Sequence, residues 1–376
     1  MTTLRVVIDG ILDPSTRGLA RYTEDLTRAL IATAPRDCDV EGIVSASRDD
    51  DYRELERRLP GMSGLLKSVL ARREMAAVWQ HGFTVSPIGG MIHAPSLLAP
   101  LRKHDRAATG DQMIVTVHDA LPWTAPETIS GRPASWHQNM IKRAERYADA
   151  IVVPTHAVAA QLAEHADFGD RVRVIGGAVS PGLLVPDDVA ERLERLGLPE
   201  TYVLTLATLN PRKALRPLLT AMSDVEAPLV IAGDPAWGDD TLERAIDESG
   251  IPSDRVVALG AIDDDDLAVA YSRARVMVNP SRDEGFGLAS LEAFAFGAPV
   301  VSSDAPALTE VAADAAHLVE RSDDDAEYAA RLREGIELVL RDGEVAQRLS
   351  TAGADRSRAY SWRDAAEKVW QLHADI

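Results

Sequence analysis

The sequence predicts an α/β protein of two Rossmann-like domains, each a parallel sheet covered by helices on both faces. Three observations predict it. The chain has 376 residues, enough for two or three domains at about 150 residues each. Short apolar, β-branched runs alternate with amphipathic stretches along its whole length, the pattern of parallel strands buried on both faces. A Gly- and Pro-rich stretch, GGAVSPGLLVPDD from Gly176 to Asp188, splits this alternation into two blocks of similar length.

The elements follow in chain order. In the first block strands are predicted near Leu4–Asp9, Val40–Ser45, Met91–Ala94, Met113–Val117, Ala150–Val153 and Arg171–Ile175. Helices run from about Gly18 to Ala32 and from about Ser135 to Ala148. The stretch GLLKSVLARREMAAVW, Gly64 to Trp79, also reads as helix, with Leu65, Leu66, Val69, Leu70, Met75 and Val78 set among cations. In the second block strands fall near Tyr202–Ala207, Leu229–Ala232, Val256–Leu259, Val276–Asn279, Pro299–Ser302 and Ala316–Val319. A helix starts near Gly287 or Leu288 and stops at Gly297, a residue suited to the left-handed turn that ends helices. The expected domains are 1–180 and 181–360; for the amphipathic segment at 361–376, packing back on the first domain and packing on the second both stay open.

Composition bounds the function. A formal net charge of −19 argues against a nucleic-acid partner. No apolar run approaches the roughly 20 residues of a membrane-spanning helix. Cys38 is the single cysteine, so no internal disulfide forms, and a reducing compartment fits. The opening MTTLRVVIDG enters an apolar strand without a basic leader. A soluble, cytoplasmic protein is expected. Charge is unevenly spread: from Tyr52 to Arg106 nine basic residues face four acidic ones. Two readings of that 52–106 segment stay open. It is a helix packed on the sheet with its cations in water, or a basic amphipathic face in peripheral contact with an anionic membrane.

Ligands of open α/β sheets bind beyond the carboxyl ends of the strands, so the loops that follow strands are the places to look. After the strand at Tyr202 comes ATLNPRKALRPLLTAM. Arg212 and Lys213 stand at a predicted helix start, where two cations oppose the helix dipole unless an anion arrives. Phosphate suits that place. After Val276–Asn279 comes NPSRDEGFGLASLEAFAFGAPVV. Its Gly285 and Gly287 allow close approach of backbone to a ligand. The helix amides near Leu288–Ser290 suit a diphosphate, and Glu284 and Glu292 can accept from the hydroxyls of a sugar or a ribose. Apolar neighbours on both sides of Glu292 leave its carboxylate in need of partners. In the first block, His118 and Asp119 end a buried strand in MIVTVHDALPW, and Gly18 lies in the first strand–helix turn. The acidic run Asp263–Asp266 reads as a solvated helix start rather than a metal site, and no metal is expected.

These residues together resemble the retaining family 4 glycosyltransferases of the GT-B fold, which carry the glycosyl transferases group 1 domain. PSRDEGFGLASLEAFAFGAPVVSS is similar to the family's E-x7-E motif in its usual setting, LNPRKALRPLLTAM to its Pro-Arg-Lys segment, and RGLARYTEDLTRAL to its first helix. VHDALPWTAPE resembles a His-Asp-x-x-Pro segment common among transferases that make bacterial surface polysaccharides. The resemblance covers essentially the whole chain and departs in three places, one of them Glu320-Arg321, where Asp-Pro is usual. Ala20 stands where a second glycine is usual, and EVAADAA, Glu310 to Ala316, stands where the family has Glu-Val-x-Gly-Asp-Ala-Ala.

The resemblance implies two domains facing across a cleft and a nucleotide-diphosphate sugar as donor, with no cofactor required. Glu284 would contact the transferred sugar, with the amides of Gly285, Phe286, Gly287 and Leu288. Glu292 would hold the ribose hydroxyls. Arg212 and Lys213 would neutralise the diphosphate, and His118 would sit beside the anomeric region or the sugar's 6-position. Gly18 would let acceptor or phosphate approach the first turn. The acceptor would be a glycan or a lipid-linked hydroxyl. GDP-mannose is the favoured donor, beside UDP-sugars and dTDP-rhamnose. Two other readings stay open: an inverting GT-B transferase using Asp9 or Asp13 as base, and an inactive sugar-nucleotide-binding scaffold.

Overall fold

A computed structural model describes residues 2–13, 17–85, 88–129, 131–233 and 236–376. The chain forms two compact units, Met1–Gly177 with Ser361–Ile376, and Ala178–Tyr360. The first holds a parallel sheet of seven strands: β1 (Thr2–Val7), β2 (Cys38–Val44), β3 (Gly64–Lys67), β4 (Met91–Ala94), β5 (Gln112–Thr116), β6 (Ala150–Val153) and β7 (Val172–Val174). Their spatial order is β3-β2-β1-β4-β5-β6-β7. The second holds six: β8 (Val203–Leu206), β9 (Leu229–Ala232), β10 (Val256–Gly260), β11 (Val276–Asn279), β12 (Val300–Ser303) and β13 (Ala316–Val319), in the order β10-β9-β8-β11-β12-β13. Each order reverses once, between β1 and β4 and between β8 and β11. Loops on either side of a reversal diverge to opposite faces and leave a crevice for ligands.

The central strands are mostly apolar because helices cover both faces. In the second unit Leu218, Leu332 and Ile336 pack on one side, and Tyr271, Leu291 and Phe294 on the other. In the first unit Trp79, Trp136 and Met140 fill one layer. The last helix, Trp362–Asp375, packs on the helix Arg17–Ala32, and Trp370 Nε1 donates to the Leu30 carbonyl at 3.2 Å.

The stretch from Gly64 to Trp79 is not one helix. Gly64–Lys67 pairs with β2 as the edge strand β3, and a helix begins only at Arg72 (Arg72–Gln80). The spacing of the leucines imitates a helix, but the exposed edge of β2 offers four residues a ready ladder. The cations of this region are also largely engaged. Arg72 Nε meets Asp9 Oδ2 at 2.9 Å, and its Nη1 meets Asp13 Oδ2 at 3.0 Å. Arg57 pairs with Glu54, Arg58 with Glu24, and Lys67 lies over the Tyr52 ring. The continuous basic amphipathic face expected of a membrane-surface helix does not form here. No helix among the described residues is long and apolar enough to cross a membrane.

The acidic run starts a helix as expected, with Asp263 and Asp264 exposed, and departs from expectation at one residue. Asp263 caps the helix Asp264–Arg273 by accepting from the Asp266 amide. Asp266 is buried rather than solvated, and Arg192 and Arg195 bind its Oδ1 at 2.6 and 2.5 Å.

Candidate active site

The reversal between β8 and β11 brings the two singled-out loops of the second unit together. After β8, Asn210 accepts from the Arg212 amide and starts a 3-10 turn, Pro211–Lys213. Ala214 then takes a left-handed conformation, and the α-helix begins only at Leu215 (Leu215–Met222). The two cations thus precede the α-helix instead of opening it, and they turn toward the loop after β11. Arg212 Nη1 reaches Glu284 Oε2 at 3.0 Å and the Asp283 carbonyl at 2.7 Å. Lys213 Nζ donates to Glu284 Oε1. The Arg282 amide donates back to the Arg212 carbonyl at 2.7 Å.

This clasp sets the electrostatics. Burial works against ionisation of Glu284, but the charges of Lys213 and Arg212 outweigh it, and the Ser281 hydroxyl adds a hydrogen bond. The carboxyl is held at about 2. The loop beneath is pinned from the core side: Tyr328 donates to the Pro280 carbonyl at 2.6 Å, and Asn279 Nδ2 to Ser290 Oγ at 3.0 Å.

Gly287 is left-handed (φ +89°), and a Cβ there would stand 2.3 Å from Leu308 Cδ2. Only glycine meets both conditions. The helix that follows, Leu288–Ala295, lies between the sheet and the helix Gly343–Ser357, so it is apolar nearly all round. The Ser290 amide is taken by the Gly287 carbonyl at 3.0 Å, which leaves the expected set of helix amides at Leu288 and Ala289. Gly285 and Phe286 complete the loop, and the Phe286 ring meets Tyr360 edge-on at 5.4 Å.

Glu292 is 3% exposed, and its Oε2 accepts from the Tyr271 hydroxyl at 2.9 Å. A carboxylate in this apolar helix therefore has a partner within the protein. Tyr271, on the helix Asp264–Arg273, was not among the residues picked out from the sequence. Nothing in its local pattern marks it, since only the packing of two helices distant in sequence brings it to Glu292. Ser281 and Tyr328 escaped for the same reason.

His118 and Gly18 belong to the first unit. His118 follows β5, and its Nε2 lies 2.7 Å from the Pro95 carbonyl after β4. Facing a carbonyl, Nε2 must carry the proton, which leaves Nδ1 an acceptor. Burial lowers the imidazole's pKa, the Pro95 hydrogen bond only partly opposes this, and the ring sits edge-on to Tyr22 at 4.7 Å. Gly18 is exposed in the first turn of Arg17–Ala32, and a Cβ there would touch nothing within 4 Å.

The family described as Glycosyltransferase Family 4 matches residues 16–182, and Glycosyl transferases group 1 matches residues 190–356. The chain belongs to the family 4 glycosyltransferases. This glycosyltransferase is 28% identical to the O-antigen chain mannosyltransferase B of Escherichia coli over 284 residues, 73% of this chain and 71% of that one. It is 33% identical over 214 residues to the serotype-specific mannosyltransferase WbdA of Escherichia coli. That match takes in 53% of this chain and 26% of WbdA, so the chain spans about a quarter of that relative. Among solved structures, Anabaena HepE in complex with UDP and glucose matches with a TM-score of 0.72 at 17% identity over the whole of both chains. Sucrose-phosphate synthase from Thermosynechococcus elongatus gives 0.71 at 22% identity, over 100% of this chain and 99% of that one. At such identities the likeness is one of fold, and that fold is GT-B.

Proposed function

We propose that this glycosyltransferase is a retaining hexosyltransferase that moves mannose from GDP-mannose to a hydroxyl of a glycan or lipid-linked acceptor. The observation that carries the reading is the clasp of Arg212 and Lys213 on Glu284, beyond the carboxyl ends of β8 and β11. A donor diphosphate would take up the two cations, and Glu284, ionised at any physiological pH, would accept from the hydroxyls of the transferred sugar. Glu292 would hold the ribose hydroxyls. Relatives named as mannosyltransferases favour mannose, while the complex of HepE with UDP and glucose keeps UDP-sugars in the test.

The chemistry would proceed on one face of the sugar. The bond from the anomeric carbon to the diphosphate oxygen lengthens first, and Arg212, Lys213 and the helix amides stabilise the charge that gathers on the leaving diphosphate. The acceptor oxygen attacks from the same side and gives its proton to a phosphate oxygen. An inverting reaction would instead need a free base after β1. Arg72 grips both Asp9 and Asp13, which supports retention.

The test is a transfer assay with GDP-mannose, UDP-glucose and dTDP-rhamnose against mannose-terminated glycans, with product anomers read by NMR. Net α-product from α-linked GDP-mannose is expected. A β-product would overturn retention, and preference for another donor would overturn the mannose assignment.

A further inference from the structure

Three cations of this acidic chain share one cavity in the first unit and have no carboxylate partner among the described residues. The cavity, about 300 Å³, is lined by His81, Lys142, Arg143, Arg146 and Tyr147 with two side-chain amides and no acidic residue. It lies at the C-terminal ends of two helices, Arg72–Gln80 and Ala134–Tyr147. Such helices run antiparallel to the strands they cover, so this is the amino-end side of the sheet, opposite the loops that carry Asp9 and His118.

The site is built around Arg143. Its Nη2 donates to the Leu101 carbonyl, and its guanidinium lies 5.1 Å from the Tyr147 ring. Its Nε is buried without a hydrogen-bond partner. Gly82 makes room for it: this residue is left-handed (φ +78°), and a Cβ there would come within 2.0 Å of Arg143 Nη2. The neighbouring Phe83 is 69% exposed. Helix C-termini favour cations in the last turn, which accounts for Arg146 on its own. It does not account for a cavity that gathers three like charges and leaves a buried guanidinium nitrogen unpaired. A group with two or more negative oxygens would balance the three charges, and the guanidinium fork of Arg143 at the cavity wall matches phosphate geometry.

We propose that this cavity is a phosphate-binding site separate from the donor site. It takes a phosphate mono- or diester, carried either by a lipid headgroup or by a soluble phosphorylated molecule. Lys142 and Arg146 are exposed, so replacing both leaves the fold intact.

The test uses the full chain with its donor site saturated by a mixture of GDP and UDP. It is titrated with inorganic phosphate at constant ionic strength, and separately sedimented with vesicles of phosphatidylglycerol in phosphatidylcholine. Saturable phosphate binding by calorimetry, or salt-sensitive binding to these vesicles but not to pure phosphatidylcholine, is expected. Either should fall at least tenfold in the Lys142→Ala/Arg146→Ala double variant, with melting temperature and nucleotide affinity unchanged. Phosphate binding alone identifies a soluble ligand, and vesicle binding identifies a lipid headgroup. Absence of both, or binding undiminished in the double variant, overturns the proposal.

Discussion

At the scale of single residues, two carboxylates of the second unit are held in different ways and so predict different behaviour. Glu284 is held by charge. Its folded pKa of about 2 lies below the ordinary value of 4.5, so it contributes stability above pH 4.5 that is lost as pH falls from there toward 2. Lys213→Ala should narrow that window by letting Glu284 protonate sooner, visible in urea unfolding followed from pH 5 to 3. The same variant should lower turnover more than it weakens nucleoside monophosphate binding, because the cation matters most as diphosphate charge develops. Equal losses in both would assign Lys213 to ground-state binding alone. Glu292 is held by a hydrogen bond. Glu292→Ala should weaken nucleotide affinity by about 1.5–3 kcal/mol, and by removing the acceptor of the Tyr271 hydroxyl it should also lower the melting temperature. Glu292→Gln keeps an acceptor there and should spare the melting temperature while still costing affinity. Calorimetry with GDP that finds both variants unchanged would remove Glu292 from the nucleotide site.

At the scale of elements, two backbone positions carry opposite expectations. Gly287→Ala forces a methyl into a left-handed turn and against Leu308, and should destabilise the second unit by more than about 1 kcal/mol. Leu308→Ala in the same chain should recover the steric part of that loss and leave the backbone part, a separation that denaturant melts can read. Ala313 is the converse case. It adopts φ +51° with ψ −117° after the helix Pro306–Ala312. Backbone so strained in an L-residue costs about 1–3 kcal/mol. The side chain is exposed, so Ala313→Gly removes strain without opening the core and should stabilise by about 1 kcal/mol, after the greater chain entropy of glycine is counted. An unchanged or lower urea midpoint would mean that the turn relaxes at no cost.

At the scale of the whole molecule, the last helix returns to the first unit, where it brings His373 against His93 on β4. Ring centroids are 6.0 Å apart, Gln112 Oε1 lies 2.9 Å from His373 Nδ1, and both rings are buried. Burial pushes His93 down to about 3, and burial together with the neighbouring His93 pushes His373 well below 6.5. Both are therefore neutral in the folded chain, and the unfolded chain binds their protons first. Stability is full above pH 6.5 and falls as pH drops toward 3, by up to about 1.4 kcal/mol per pH unit for each histidine. Calorimetry between pH 7.5 and 4.5 should move the first unit's transition down more than the second's, and His373→Gln should reduce that slope. Removal of 361–376 should lower the first transition and spare the second.

How much of this was legible before the structure follows from how local each cause is. Strand and helix positions in both units were readable because burial on two faces leaves a continuous apolar run, and this period is written in consecutive residues. The loop glycines and the cations after Asn210 were readable because turn chemistry is equally local. β3 was not, since four residues become a strand only when the edge of β2 is there to pair with them. The partners of the carboxylates were not readable either. Glu284 meets Lys213 across 71 residues of chain, and Glu292 meets Tyr271 across 21. By itself the sequence determined which residues bear charge in apolar surroundings and where the chain turns. Only the tertiary structure decided what satisfies those charges, because a hydrogen bond or ion pair forms between atoms made neighbours by sheet order and helix packing, and residue spacing along the chain does not carry that distance.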